Sequence, residues 1–468
     1  MILFAGTTLY SCELVDVLDK EPPHNMTPET AITDEKSAET ALNGVYGNLL
    51  AYDGFLEIAN QAFSTGILRA NPKTGGGNNI LYTERMMPKL SYVSMAYDPF
   101  WNYPTRVVNS GNLLLSKLDG MSDGQFTGNR RVSMMGEVRF LRAFSNFEML
   151  RMFGQYDKLD SKYGMLVRTK PATANDVTIA RSSVQATYDF ILEDLDFAIK
   201  NAPDFKDAMY ASKTAAKALR VKVLFYMGKY SEALSAANDF IAGNERTLEP
   251  NYSDVFTNKK NSELIFVRGY EGTSELQGQS TRINAFHNEG KWGPTESFLE
   301  YVAGDPRENV ILKDGVGAMF GQWKTINKAA NAKGDMPLYW MRYSEMFMIK
   351  AECEMRAGDS AGALLTLNNL RRSHGLAPIT GTGAIEDILF KEWVMEMGFE
   401  CGHEWHALWR LGGVERLLQM NESVRELWET NVDPQMYKES LVFKQIYPIP
   451  SGEMNSNQLA EQNPGYNS

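Results

Sequence analysis

Six residues of this chain have side chains suited to holding a sugar: Trp292, Trp323, Tyr92, Tyr97, Arg69 and Asn71. A flat aromatic ring stacks on the C–H face of a pyranose and buries apolar area without needing charge. Forked polar groups such as those of Arg and Asn match vicinal hydroxyls two at a time. All six lie in two long stretches, 64–100 and 243–338, in which Asn, Gly and Pro recur. Irregular runs of that length in a compact domain are usually functional. Taken singly, each ring is more often explained as pinning its own loop to the core. As a set, they are what a preformed, uncharged-ligand surface would draw on.

Other chemistries fit less well. His403-Glu404-Trp405-His406 has two histidines at i and i+3, whereas a zinc-protease helix needs i and i+4. The pair reads as core-lining or solvated. Gly75-Gly76-Gly77 lacks the Lys-Ser/Thr of a phosphate loop, and the glycines at 315, 317 and 321 have the wrong spacing for a dinucleotide fingerprint. No Gly-x-Ser-x-Gly elbow occurs. Asp305, Glu308 and Asp314 lack the positional code of a calcium loop. Cys353 and Cys401 read as buried apolar thiols. No cofactor, metal or catalytic group is expected.

The elements that must position the six residues are mostly helices. The chain has 468 residues, 43% hydrophobic and 22% charged, with a net charge of −11. That is globular composition, and its sign argues against nucleic acid as a partner. Ser37 to Leu50 and Gly136 to Phe153 carry apolar residues at i, i+3, i+4 and i+7. The second of these shows Arg139, Arg142 and Arg151 on its other face. Ser182-Ser183 offers hydroxyls to cap a helix running to Pro203. A short strand is expected at Leu264–Val267, and Trp101, Trp340, Trp405 and Trp409 sit in helical patterns as packing residues.

Two segments look like copies of one unit. Ala215–Gly228 is followed by a return over Tyr230–Phe240, and Arg342–Gly358 by a return over Asp359–Leu370. Each has a helix that stops at Gly, a short polar turn and an Ala-bearing second helix. This is the pattern of tetratricopeptide-type hairpins, which stack because none can bury its stripe alone. At the N-terminus, an apolar run ends in Leu9-Tyr10-Ser11-Cys12, which resembles a bacterial lipobox with Tyr10 in place of the usual small residue. Cys12 is therefore the candidate lipidation site, with Glu13, Asp16 and Asp19 on the tether behind it.

The order of motifs resembles the SusD/RagB family over nearly the whole chain. Trp101 followed by Asn112-Leu113-Leu114 is similar to the family's early helix, with Thr105 in place of its usual Tyr. Gly136-Glu137-Val138-Arg139-Phe140-Leu141-Arg142-Ala143 is similar to its "E-x-R-F-L-R-A" helix. Pro294-Thr295 with Asp305-Pro306-Arg307, Arg342-Tyr343-Ser344-Glu345 with Ala351-Glu352, and Leu367-Asn368 with Leu370-Arg371-Arg372 follow in family order. Tyr447-Pro448-Ile449-Pro450, then Glu453, and Asn463-Pro464-Gly465-Tyr466 close the chain. One stretch departs: Glu392-Trp393 and Phe399–Arg410 lack several of the family's arginines and its Asp, and Cys401 stands as an insertion. The expectation is a thinner local ion-pair network there.

The resemblance implies a mainly α fold of about four tetratricopeptide-like pairs with long irregular excursions and a few short strands. It implies 1–11 as a signal-peptide remnant, 12–36 as a lipid-anchored tether, 37–242 as an N-terminal helical region and 243–468 as a C-terminal region with binding loops and final hairpins. It further implies a non-catalytic, lipid-anchored outer-membrane protein facing the cell exterior. Such a protein captures an oligosaccharide for a TonB-dependent, SusC-like transporter. The alternatives are a helical scaffold that binds protein without a small-molecule site, and a helical-barrel glycoside hydrolase. The hydrolase would need two carboxylates about 5–5.5 Å or 6.5–9.5 Å apart.

Overall fold

The computed structural model describes residues 31–51, 66–70, 98–173, 176–268, 292–314, 324–326, 328 and 337–466. Its frame is a run of antiparallel helix pairs. Helix α1 (Glu35–Ala51) pairs with α2 (Asp98–Gly120), α3 (Arg130–Phe153) with α4 (Val184–Asn201), α5 (Lys213–Tyr226) with α6 (Tyr230–Ala242), and α7 (Tyr343–Arg356) with α8 (Ser360–Ser373). Each pair packs on the next, through α2 on α3, α4 on α5 and α6 on α7. Helices α9 (Ile385–Met397) and α10 (His403–Arg410) pack against the end of this run. The mainly α, tetratricopeptide-like fold expected from the sequence is the one observed.

Local chemistry sets the boundaries. The Ser183, Ser212 and Asp359 side chains accept hydrogen bonds from the N–H groups of Ala186, Ala215 and Gly362, capping α4, α5 and α8. The two hairpins turn where the sequence puts glycine: Gly228 and Gly358 adopt φ of 74° and 84°, which a side chain would strain. On α3, a Cβ at position 136 would fall 2.5 Å from the Ala202 nitrogen, so glycine lets the end of α4 approach.

Helix α3 is the centre of the frame. Val138, Leu141, Phe144, Phe147 and Leu150 are all buried, and full burial of each such side chain stabilises by about 1.5–3 kcal/mol. Of the three arginines opposite that stripe, Arg139 is part-exposed and the other two are buried. Arg142 is buried, with Nε and Nη2 each 2.7 Å from Asp194 and Nη1 2.5 Å from Asn112 Oδ1. Arg151 is buried beside Glu148 at 2.5 Å and against the Tyr226 ring. The helix is packed on both sides, so charges buried between its neighbours must carry partners inside.

The described residues contain three antiparallel two-stranded ribbons: β1 (Leu68–Ala70) with β3 (Trp292–Pro294), β2 (Leu264–Arg268) with β6 (Leu338–Arg342), and β4 (Leu312–Asp314) with β5 (Lys324–Ile326). The strand expected at Leu264–Val267 is β2. Trp340, expected in a helical pattern, lies instead on β6, where it packs on Phe266 and Phe144. The β2–β6 ribbon is buried, and an apolar run buried on both faces cannot be told from a helix by period alone. Arg268 pairs with Leu338, so the chain leaves and re-enters the frame at one point. Among the described residues, 292–314, 324–326, 328 and 337 belong to the excursion between Arg268 and Leu338.

Candidate functional site

The excursion returns to meet the other long stretch. In the β1–β3 ribbon, Arg69 pairs with Gly293 and Ala70 with Trp292, joining residues more than two hundred positions apart in the chain. Strand β5, which begins just after Trp323, packs against β3. The backbone thus brings the positions of Arg69 and Trp292 onto one ribbon with β5 beside it. The side chains of Arg69 and Trp292 lie outside the described residues. So do Asn71, Tyr92, Tyr97, Trp323 and Cys12 in full.

This ribbon cluster is fastened from below. The Thr295 N–H donates to the Ile67 carbonyl at 3.1 Å. Its hydroxyl donates to the Met420 carbonyl at 2.7 Å and accepts from Phe298 N–H at 3.1 Å. The Glu422 carboxylate accepts from Glu296 and Ser297 N–H at the start of helix Glu296–Val302. Partial burial opposes its ionisation, but these N–H donors prevail and hold it below the usual range. On the other side Lys328, shortly after β5, is fully buried. Its ammonium donates to the carbonyls of Glu396 and Gly398 at 2.9 Å each and pairs with Glu400 at 2.6 Å.

Lys328 belongs to a larger ionic network. Arg342 Nη1 lies 2.8 Å from Glu396 and 3.1 Å from Glu263, and its Nε lies 2.8 Å from Glu400. Arg307 pairs with Asp305 at 2.9 Å and Glu392 at 2.8 Å, and Arg371 reaches Glu392 at 2.7 Å. These charged groups are all buried or nearly so. Burial raises the pKa of a carboxylate, but Arg342 and His374 outweigh it at Glu396, which is held well below the usual range.

His374 completes the network as a cation. Its Nδ1 sits 2.9 Å from the Glu249 carbonyl, which can only accept. Its Nε2 faces Glu263 and Glu396 at 3.4 Å each, and the Ser344 hydroxyl, which donates to Glu263 at 2.5 Å. Both nitrogens therefore need protons. Burial opposes that charge, but the Glu396 carboxylate prevails and raises the His374 pKa. Arg307, Lys328, Arg342, Arg371 and His374 then balance Asp305, Glu263, Glu392, Glu396 and Glu400.

The network also holds a strained turn. Phe399 and Cys401 adopt positive φ of 62° and 46°, each costing roughly 1–3 kcal/mol. Arg342 and Lys328 clamp Glu400 between them, Phe399 N–H donates to Glu404, and Cys401 Sγ–H donates to the Tyr339 carbonyl at 3.1 Å. The expectation of a thinned network here is corrected. The carboxylates Glu392, Glu396 and Glu400 are paired by Arg307, Arg342, Arg371 and Lys328, which arrive from other segments.

His403 and His406 line the core. His403 stacks on Trp393, and His406 Nδ1 lies 3.1 Å from the Tyr156 hydroxyl. Burial pushes His403 well below the usual histidine range. Among the described residues no group of three or more His, Cys, Asp or Glu could hold a metal ion. Cys353 and Cys401 are buried thiols, and burial pushes Cys353 up to about 12.

Comparison with known proteins decides what this frame is. Residues 314–466 match the SusD family, and residues 16–225 match a family described as starch-binding and associating with the outer membrane. The chain belongs to the SusD/RagB family. It is 23% identical to SusD-like protein P2 of Formosa agariphila over 96% of both chains. Its match to SusD-like protein P25 of the same organism, at 24% identity, spans 66% of this chain and 59% of that protein. A SusD superfamily protein of Bacteroides vulgatus superposes with a TM-score of 0.73 at 20% identity, over 93% of this chain and all of that one. A laminarin-binding SusD-like protein superposes at 0.68, with 20% identity and the same coverage. At such identities the structural likeness establishes the fold alone.

The family motifs now have a physical place. Asp305, Arg307, Arg342 and Arg371 carried the resemblance, and with Glu392 and Glu400 of the departing stretch they are the foundation beneath the loops. Sequence reasoning missed Glu263, Lys328 and His374. A single Lys in an irregular stretch gives no signal of burial, and a His two residues past Arg372 gives little more.

Proposed function

We propose that this SusD/RagB protein binds an oligosaccharide at the cell surface, on the surface carried by the β1, β3 and β5 segments, and takes no part in catalysis. The observation that carries this reading is the β1–β3 register, which unites the two sequence stretches bearing Trp292, Trp323, Tyr92, Tyr97, Arg69 and Asn71. The family description, starch-binding and associating with the outer membrane, supports the ligand class and the location. The laminarin-binding relative supports it further. Cys12 carries the lipid anchor, the protein faces the exterior, and a TonB-dependent SusC-like transporter receives the ligand. No helix among the described residues is long and apolar enough to cross a membrane.

The mechanism is binding on a largely preformed surface. The ionic foundation fixes the loop bases, so little ordering entropy is lost when the ligand arrives. Aromatic faces supply the contact area, and forked polar groups set orientation. A neutral ligand makes the affinity nearly independent of salt. Calorimetric titration of laminarin, starch, xylan and mannan fragments at low and high salt tests this. The expected result is saturable binding of one class at both salts. Failure of every neutral saccharide, or binding only of charged ones, contradicts the reading, and release of reducing ends would show an enzyme instead.

A further inference from the structure

Tyr210 is the most exposed aromatic side chain among the described residues, with about half its surface open. It stands in a cleft of about 490 Å³ formed by the start of α3 and the α4–α5 connection. That volume lies within the range of small-molecule sites, about 300–1,000 Å³. These elements supply no strand to the β1–β3 and β4–β5 ribbons.

The cleft is built. The Tyr210 ring meets Tyr46 edge to face, with centroids 5.5 Å apart. The Tyr46 hydroxyl donates to Glu137 at 2.8 Å and accepts from the Ala211 N–H at 3.0 Å, so the residue after Tyr210 is tied to the ring on which Tyr210 leans. Arg130 fixes the floor, pairing with Glu137 at 2.6 Å and Glu39 at 2.5 Å. The connection closes on itself through Lys213 N–H to the Pro203 carbonyl and Lys213 Nζ to Asp204, both at 2.9 Å. Its lining carries three cations, Arg130, Lys206 and Lys213, and three anions, Glu137, Asp204 and Asp207. A rigid, half-open ring among polar groups of zero net charge favours an uncharged molecule with a flat C–H face and many hydroxyls.

We propose that the Tyr210 cleft is a second saccharide-binding site, separate from the loop surface. It uses Tyr210 as the stacking platform and Asn129, Lys206 and Asp207 as hydroxyl partners. A polymer longer than one site could then be held at two points, raising its effective concentration at the loops. The inference shares the ligand class of the function proposed above but not its residues.

The test is fluorine NMR on protein carrying 3-fluorotyrosine, with the Tyr210 signal assigned by Tyr210→Phe. Oligosaccharides from laminarin, starch, xylan and mannan are titrated into wild type and into the Trp292→Ala/Trp323→Ala variant. The expected result is a saturable shift of the Tyr210 signal that persists in the loop variant, with affinity there falling about tenfold on Tyr210→Ala. A Tyr210 signal unmoved by every saccharide overturns the proposal, as does a shift that vanishes in the loop variant. Lost binding in the loop variant with Tyr210 silent removes the cleft and keeps the loop surface. A moving Tyr210 signal with unchanged binding in the loop variant does the reverse.

Discussion

The two halves of this molecule are held by different forces. In α1 to α4 the contacts are mostly apolar: Leu42, Val45, Val107, Leu118, Leu141 and Phe144 fill the space between helices, and charges such as Arg142 and Asp194 are local pairs. Around 263, 305–307, 328, 342, 371–374 and 392–400, ten charged groups form one buried network. The difference follows from what each half must hold. Regular helices present a repeating stripe, and non-directional burial suffices. Irregular segments have no period, so directional point contacts must fix them. The excursion that carries the proposed binding surface is rooted in the second kind.

The largest expected effect comes from breaking the network at its centre. Arg342→Met leaves Glu263, Glu396 and Glu400 short of a partner and should cost about 3–5 kcal/mol in denaturant unfolding. A loss under about 1 kcal/mol would mean that the charges do not hold this half. Next, Leu141→Ala on α3 should cost about 2–5 kcal/mol through cavity formation, with a penalty that stays constant across pH.

A pH series sharpens the contrast. The folded-state pKa of His374 is raised above its ordinary value of about 6.5. Its stabilising contribution is therefore full below about pH 6.5 and is lost as pH rises through the folded value. Thermal melts of wild type should show a fall on the alkaline side that His374→Gln lacks. Equal slopes for the two proteins would contradict the imidazolium assignment. The smallest effect concerns reactivity. Cys353 and Cys401 are buried with raised pKa values, so iodoacetamide at mildly alkaline pH should label them only after unfolding. Rapid labelling of the folded protein would show that this core opens.

Much of the frame was legible in the residues. Gly228 and Gly358 end their helices where the hairpin pattern put them, and Ser183 caps α4 as its hydroxyl suggested. The burial of Arg142 and Arg151 was not legible, because periodicity reports one stripe and cannot count neighbours on the opposite side. Trp340 was misplaced because a short, doubly buried strand has no alternation to read. The ribbon that carries both Arg69 and Trp292 could not be read at all, since strand pairing across the chain leaves no local mark. The Tyr210 cleft was equally silent, because an exposed tyrosine and a packed one look alike in sequence.

The central claim is that a charge-fastened frame presents aromatic loop residues to a neutral saccharide. Its most direct test is calorimetric titration of the Trp292→Ala/Trp323→Ala variant, beside wild type, with the oligosaccharide that wild type binds. The account predicts affinity at least about tenfold weaker with an unchanged melting temperature. Full affinity in the variant, or a loss seen only together with lowered stability, would contradict it.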